Sequence, residues 1–328
     1  MATNKPSPML AAHLQAGTLT LDFQRPRPEP QPGESRIAVS LAGVCATDLA
    51  LAKGYMGFRG VPGHEFVGRA LDGPLAGKRV VGEINAGCGV CERCRSGDSR
   101  HCSERSVLGI LGRPGAFAEE LRLPDANLLE VPDEVSDEAA VFAEPIAAAG
   151  AILEQIGDVR GVPALVVGDG RLGLCCAAVL AIHGARVDLL GRHPERADLL
   201  PGGVHHLGRP LQAGAPPDRR YPLVVEASGR PECLAGALGW TEPRGRLILK
   251  TTTERPVELD LAPLVVDEIQ LLGSRCGRFD AALDWLASGA IDPRPWVAAR
   301  FPLNQVEQAL TEAGRGGVLK VLLDITPA

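Results

Sequence analysis

The sequence is poor in aromatic residues, in net charge and in long apolar runs. Phe, Trp and Tyr together make up 4% of its 328 residues, so aliphatic side chains must build the core. The net charge of −6 argues against a broadly basic surface that binds nucleic acid. Because no apolar run approaches the length of a transmembrane helix, we expect no membrane partner.

The amino-terminal residues also lack the apolar segment of a secretory signal. Residues 1–8 are polar and include two prolines, so we expect a cytoplasmic protein. The nine cysteines are an odd number, which argues against a closed disulfide framework. Thiols stay reduced in the cytoplasm, where clustered cysteines indicate metal ligands before disulfides.

Two parts of the chain differ in their secondary-structure pattern. Short β-rich segments bounded by Gly or Pro, such as 17–23, 35–41 and 78–82, favour an antiparallel barrel-like domain in the first third. From residue 163 onward, strand-like and helical segments alternate, which is typical of βαβ units and a parallel sheet. The length is consistent with about two domains.

One cluster of cysteines has the spacing C-x2-C-x2-C-x7-C. Its members are Cys88, Cys91, Cys94 and Cys102. Four thiolates suit a closed, tetrahedral structural zinc site, and the neighbouring glycines 87, 89 and 97 permit the tight turns that such a site needs. The alternatives are an iron–sulfur cluster, whose cysteines have similar spacing, and unligated thiols in a loop.

A glycine motif follows the apolar strand predicted over residues 163–167. The motif consists of Gly168, Asp169, Gly170, Arg171, Leu172 and Gly173. The spacing G-x-G-x-x-G between a strand and a helix is the dinucleotide-binding fingerprint, in which the helix N-terminus faces the pyrophosphate. The alternative is a glycine-rich turn in an unrelated α/β fold.

The end of the next predicted strand bears on the choice of dinucleotide. Proteins that bind NAD usually carry an acid there, which binds the ribose 2′-hydroxyl, but this chain has Gly191 followed by Arg192. A missing carboxylate removes repulsion of a 2′-phosphate, and a guanidinium can pair with that phosphate. The sequence therefore predicts NADP, with NAD as the alternative.

Taken together and in order, these features resemble the zinc-dependent alcohol dehydrogenases of the medium-chain dehydrogenase/reductase superfamily. The features are Cys45, His64-Glu65, the four-cysteine lobe, Glu144-Pro145 and the glycine motif. The resemblance implies an α/β protein with a GroES-like, antiparallel β-barrel-like catalytic domain and a Rossmann domain, a doubly wound parallel sheet. The catalytic domain would comprise residues 1–143 and 276–328, with a structural zinc lobe at 86–103. The Rossmann domain would comprise residues 144–275, with the active site in the cleft between the two.

The resemblance also implies a second zinc ion, which would be catalytic. On spacing alone Cys45 and His64 are weak candidates, but both match ligand positions of the family. Glu144 or Glu65 would be the third ligand, and Asp48 would hold the ring of His64. Thr47 would pass on the proton of the alcohol. Many relatives carry a histidine three residues after this threonine, where the present chain has Ala50, so alcohol oxidation should be slower or more base-dependent.

The implied reaction is reversible hydride transfer between an alcohol and NADP, with two zinc ions per chain. The nicotinamide would lie near the backbone of Lys250 or Ser274, and the substrate would be a small alcohol or carbonyl compound. A homodimer or homotetramer is expected, through the strand near 269–272. The alternatives are a zinc-independent C=C or quinone reductase and a non-catalytic, zinc-stabilised nucleotide-binding sensor.

Overall fold

The computed structural model describes residues 7–29, 31–208, 220–252 and 256–325. The chain divides into two compact units, the first formed by residues 1–144 and 293–328 and the second by residues 145–292. Within the described ranges, every helix is too short or too polar to cross a membrane.

Strands outnumber α-helices among the described residues. The strands are β1 (Met9–Gln15), β2 (Thr18–Arg25), β3 (Glu34–Gly43), β4 (Arg59–Gly60), β5 (Glu65–Ala70), β6 (Arg79–Gly82), β7 (Asn85–Ala86), β8 (Ser106–Leu108), β9 (Gly112–Arg113), β10 (Glu120–Pro124), β11 (Leu128–Glu130), β12 (Pro163–Val167), β13 (Arg186–Leu190), β14 (Val204–His206), β15 (Tyr221–Glu226), β16 (Thr241–Leu249), β17 (Gln270–Gly273), β18 (Val297–Pro302) and β19 (Lys320–Asp324). The helices are α1 (Ala46–Ala52), α2 (Glu92–Arg95), α3 (Asp137–Ala140), α4 (Ala143–Ile156), α5 (Arg171–Ile182), α6 (Cys233–Gly239), α7 (Ala262–Val266), α8 (Phe279–Ala287) and α9 (Val306–Ala313).

The first unit is built on a seven-stranded, mainly antiparallel sheet. Its strand order is β11-β6-β5-β3-β19-β18, and β10 also pairs with β3. Alternate residues of β3, including Ile37, Val39 and Leu41, are buried, as expected of a strand with one face on a core. The rings of Phe142 and Trp296 meet edge to face in this core, with centroids 5.8 Å apart. The antiparallel, barrel-like character predicted for this region is confirmed.

The second unit is built on a six-stranded parallel sheet with the order β14-β13-β12-β15-β16-β17. The central strands β12 and β15 are short apolar runs buried over most of their length, as expected of strands covered on both faces. From β12 the chain adds β13 and β14 on one side of the sheet, and β15, β16 and β17 then follow on the other side. The point between β12 and β15 is the topological switch of a doubly wound fold. The predicted Rossmann sheet is therefore confirmed.

The second unit extends to residue 292, whereas the resemblance implied that the Rossmann domain ends at residue 275. Helix α8 buries Phe279, Leu283 and Leu286, and its Trp285 ring packs edge to face on His183, with centroids 5.1 Å apart. A Cβ on Gly150 of α4 would lie 2.9 Å from the Trp285 ring, so glycine permits this close packing. The apolar face of α8 is thus covered by the second unit, which explains the boundary after residue 292.

Candidate metal centres and dinucleotide site

Three side chains suited to zinc converge in the first unit. Cys45 follows β3 and precedes α1. His64 directly precedes β5 and Glu65 opens it, and β5 pairs with β3. The Sγ atom of Cys45, a ring nitrogen of His64 and a carboxylate oxygen of Glu65 all lie within 4.8 Å of one another. Because zinc accepts thiolate, imidazole and carboxylate ligands, this donor set fits one zinc ion.

Asp48 connects the two segments that carry these ligands. Its carboxylate accepts hydrogen bonds from the backbone N–H groups of Cys45 (2.8 Å) and Gly63 (3.2 Å). Oδ1 also lies 3.4 Å from Nδ1 of His64, at ion-pair distance but without hydrogen-bond geometry. Burial lowers the pKa of His64, but the charges of Asp48 and Cys45 outweigh burial and raise this pKa well above its ordinary value. With Nδ1 directed at Asp48, Nε2 is the nitrogen available to an ion.

Thr47 lies in the first turn of α1, beside the ligand group. Its Oγ1 atom is 4.0 Å from Sγ of Cys45, and the side chain is half-buried. Ala50 follows three residues later on the same helix and offers no group that could accept a proton. The helix thus carries one hydroxyl near the candidate zinc ligands, and no imidazole continues the path at position 50.

Sequence reasoning missed Lys320, which is the charge partner of Glu65. Lys320 opens β19, and its Nζ donates a hydrogen bond to Oε2 of Glu65, with both side chains 1% exposed. The ammonium group also lies 5.0 Å from the centroid of the Phe142 ring. A Cβ on Gly43 would lie 2.4 Å from Oε2 of Glu65, so this glycine makes room for the carboxylate. In the sequence, the signal that could have indicated this buried pair is a lysine at the start of an apolar strand.

Glu144, in the first turn of α4, is the second acid predicted as a ligand. Burial raises the pKa of Glu144 to about 7, and the charge of Glu65 adds to this effect while His64 opposes it. The close group of potential ligands contains Glu65 and not Glu144. The geometry therefore favours Glu65 as the third ligand, with Glu144 as a partly protonated neighbour near pH 7 in the metal-free protein.

Glu144→Gln is expected to stabilise the metal-free protein at about pH 8 by about 1–3 kcal/mol. The pKa of Glu144 is raised from an ordinary 4.5 to about 7 in the folded state, so its ionisation costs stability as the pH rises through this interval. Below about pH 4.5 the carboxyl group is neutral in both states, and the advantage of glutamine should vanish. Denaturant unfolding of the chelator-treated proteins at both pH values measures the effect. An equal advantage at both would contradict the assigned pKa.

The four predicted lobe cysteines also converge. The Sγ atoms of Cys88, Cys91, Cys94 and Cys102 all lie within 4.8 Å of one another. Those of Cys91 and Cys102 are 3.7 Å apart, which matches the edge of about 3.8 Å expected for a tetrahedron with Zn–S bonds of about 2.3 Å. The four thiols therefore form a closed donor set that fits a structural zinc ion.

The thiols of the lobe differ in acidity. Backbone N–H groups of Val90 and Cys91 lower the pKa of Cys88 to about 6, whereas burial raises the pKa of Cys94 to about 11. A Cβ on Gly87 would lie 2.8 Å from Sγ of Cys94, so glycine lets the chain pass close to this thiol. Because zinc binds thiolates, filling the lobe would release protons, chiefly from the less acidic cysteines.

The predicted glycine motif joins β12 to α5 in the second unit. A Cβ on Gly168 would lie 2.6 Å from Cα of Ser228, and one on Gly173 would lie 1.9 Å from the carbonyl oxygen of Gly168. Both positions therefore require glycine. A Cβ on Gly170 would meet no atom of the described residues within 4 Å, so its backbone borders open space at the N-terminus of α5. This arrangement fits the close approach of a pyrophosphate.

The other predicted cofactor residues lie around this motif. Arg171 and Leu172 are half-buried in the first turn of α5, Gly191 is buried after β13, and Arg192 is exposed. Lys250 is 7% exposed. Its Nζ donates hydrogen bonds to Oγ of Ser274 (2.9 Å) and to the carbonyl oxygen of Ala148. The Lys250 side chain is thus held within the second unit by these hydrogen bonds. The role predicted for this residue, a contact with the nicotinamide, was assigned to its backbone.

Comparisons with known proteins identify this chain of two units as an oxidoreductase and give its family. The sequence profile of the Alcohol dehydrogenase GroES-like domain matches residues 31–133. An L-threonine 3-dehydrogenase of Streptomyces avermitilis is 32% identical over 339 residues, covering 92% of this chain and 94% of that protein. The chain belongs to the medium-chain dehydrogenase/reductase superfamily, in its zinc-dependent alcohol dehydrogenase-like group.

Two solved structures have the same fold over nearly their whole length. One is described as a short chain alcohol dehydrogenase (rspB) from Escherichia coli CFT073, complexed with NADH, and has 26% identity, a TM-score of 0.86 and coverage of 97% of this chain and 99% of that chain. The other, a putative zinc-binding dehydrogenase from Sinorhizobium meliloti 1021 bound to NADP, has 25% identity, a TM-score of 0.86 and coverage of 97% and 100%. These matches confirm the predicted fold class, and the two relatives hold different dinucleotides.

Proposed function

We propose that this chain is a zinc-dependent dehydrogenase that transfers hydride between an alcohol, or the corresponding aldehyde or ketone, and NAD(P)(H). The observation that carries the proposal is the convergence of Cys45, His64 and Glu65 within 4.8 Å of one another. Two zinc ions per chain are proposed, one in this group and one in the four-cysteine lobe. The open space at Gly170 supports a pyrophosphate site.

The residues around the ligand group have distinct roles in this proposal. When bound, zinc would supply Lewis acidity that lowers the pKa of an alcohol. Asp48 holds the backbone of Cys45 and faces His64, while Lys320 compensates the charge of Glu65. The Thr47 hydroxyl accepts the proton of the alcohol. Ala50, three residues after Thr47 on the helix, cannot accept this proton. The proton therefore leaves through water or the cofactor ribose, so alcohol oxidation should depend strongly on added base.

The cofactor is proposed to be a nicotinamide dinucleotide, whose adenosine ribose carries a 2′-hydroxyl in NAD and a 2′-phosphate in NADP. The predicted preference for NADP depends on Gly191 and Arg192. In the structure, the carboxylate of Asp169 lies beside Gly191, which weighs against a 2′-phosphate.

The supporting observations also bear on compartment and assembly. The nine cysteines all lie in the described residues and form no disulfide, which fits the proposal of a cytoplasmic, reducing compartment. The predicted homodimer or homotetramer is supported by exposed apolar side chains that shortly precede the edge strand β17 in the sequence, namely those of Leu261, Val265 and Val266. Small alcohols or carbonyl compounds remain the proposed substrates.

Turnover of an alcohol panel tests the proposal. The panel should contain simple secondary alcohols, polyols and L-threonine, the last because of the Streptomyces avermitilis relative, each with NAD and with NADP. We expect reduced cofactor to form with at least one alcohol, to stop after zinc is removed by a chelator and to resume on adding zinc. Reduction of C=C bonds that withstands chelation would contradict the proposal and favour a zinc-independent reductase. Cofactor binding without turnover of any panel member would favour a sensor.

A further inference from the structure

A carboxylate lies beside the end of β13, where the sequence has Gly191 and no acid. A Cβ built on Gly191 would lie 2.1 Å from Cγ and 2.2 Å from Oδ2 of Asp169, the second residue of the glycine motif. The carboxylate of Asp169 thus fills the space into which a side chain at position 191 would point. An acid at 191 and the present conformation of Asp169 exclude each other, and the chain has Asp169.

This carboxylate lies at the ends of two paired strands. Val167 of β12 pairs with Leu190 of β13, and the N–H of Gly168 donates a hydrogen bond of 2.8 Å to the carbonyl oxygen of Leu190. In Rossmann sheets the acid that binds the adenosine ribose stands at the end of the second strand. Asp169 therefore brings an acid to the same place from the neighbouring turn.

The surroundings of Asp169 keep it ionised. Oδ2 accepts hydrogen bonds from the backbone N–H of His193 (2.7 Å), with the rings of His193 (3.2 Å) and His206 (3.4 Å) also in reach. Burial raises the pKa of Asp169, but the two hydrogen bonds from His193 and the charges of His193 and Arg196 outweigh burial and lower it. Among the described residues Oδ1 accepts no hydrogen bond, and it lies 3.6 Å from Arg196. This oxygen is the one available to a hydroxyl donor.

Arg192 and Arg196 both lie near Asp169, but they differ in what they could offer a 2′-phosphate. Arg196 is buried and committed to Asp169, since its guanidinium donates to the carbonyl oxygen of Asp169 and lies near the carboxylate. Arg192 is exposed, so solvent screens its attraction for a phosphate. A phosphate beside the buried carboxylate would meet repulsion that is screened much less.

We propose that Asp169 determines the cofactor preference of this chain, by accepting a hydrogen bond from the adenosine ribose and repelling a 2′-phosphate, so that NAD(H) is favoured over NADP(H). The inference rests on the proposed function, because it requires a nicotinamide dinucleotide at the glycine motif. It reverses the expectation drawn from Gly191 and Arg192.

Fluorescence titration of the zinc-loaded full chain with NADH and with NADPH tests this proposal without turnover. We expect the wild-type protein to bind NADH at least about tenfold more tightly than NADPH, which corresponds to about 1.4 kcal/mol. Asp169→Asn should weaken the binding of NADH, strengthen the binding of NADPH and abolish the preference for NADH. The matched control is Asp188→Asn, which changes a carboxylate of the adjacent β13 that accepts a hydrogen bond of 2.6 Å from Tyr221. This control should keep the wild-type preference.

A double variant separates recognition of the ribose from a structural role of Asp169. Asp169→Gly combined with Gly191→Asp moves the acid to the usual position and should restore the preference for NADH. Wild-type protein that binds NADPH as tightly as NADH would overturn the proposal, as would Asp169→Asn weakening both dinucleotides by the same factor. Preferential NADH binding without turnover of any alcohol would uphold this inference while overturning the proposed dehydrogenase activity.

Discussion

Cys45→Ser is expected to lower alcohol turnover at least about a thousandfold while the chain stays folded and still binds its dinucleotide. Serine is a poor replacement for a zinc-binding thiolate, and loss of the metal removes several kcal/mol of stabilisation of charge on the substrate oxygen. The glycine motif belongs to the other compact unit, so dinucleotide affinity should change little. Turnover, cofactor titration and zinc content of the same preparation measure all three effects.

Cys276→Ser is the matched control, because Cys276 is a half-buried cysteine of the second unit and outside both candidate metal groups. We expect its turnover and zinc content to match those of the wild type. If Cys45→Ser keeps full turnover, the metal centre at Cys45 has no part in the chemistry. Turnover lost equally in both variants would indicate general damage to the protein.

Lys320→Met should destabilise the metal-free protein by about 3–5 kcal/mol, because it leaves the charge of Glu65 buried without its partner. Both side chains of this pair are 1% exposed, so solvent cannot compensate the carboxylate. Denaturant unfolding of chelator-treated protein measures the loss. Zinc should recover part of it in the variant, since a cation near Glu65 takes over the compensation.

Two further variants show whether the cost belongs to the buried charge. Glu65→Gln combined with Lys320→Met removes both charges and should regain most of the lost stability. Lys78→Met breaks the exposed pair of Lys78 with Glu130, at 2.8 Å, and should change stability little. Equal losses from Lys320→Met alone and from the double variant would show that lost packing, not an unpaired carboxylate, is responsible.

The sequence predicts best where a local motif carries the chemistry. The strand at 163–167 has the predicted bounds, because an apolar run and flanking Gly or Pro are local signals. The four cysteines of the lobe lie within 15 residues of one another, so their spacing alone indicates a shared ligand. The proximity of Cys45 to His64 follows from the pairing of β3 with β5, which the resemblance anticipated and the spacing did not.

The parts that the sequence could not supply depend on contacts between distant segments. Lys320 meets Glu65 across 255 positions of sequence, and a lysine at the start of an apolar strand does not reveal its partner. The space at Gly191 is filled by a side chain from another turn, so a comparison of strand ends finds no acid where the structure has one. The unit boundary after residue 292 depends on how α8 packs against α4.

Zinc per chain, measured by elemental analysis of protein purified without chelator, is the decisive measurement for a catalytic zinc ion at Cys45. The geometry of the Cys45 group and of the four-cysteine lobe predicts two ions per chain, falling to one in Cys45→Ser. One ion per wild-type chain, unchanged in Cys45→Ser, would mean that only the lobe binds zinc. That result would contradict the proposed zinc-dependent dehydrogenase and favour the metal-independent reductase or the sensor.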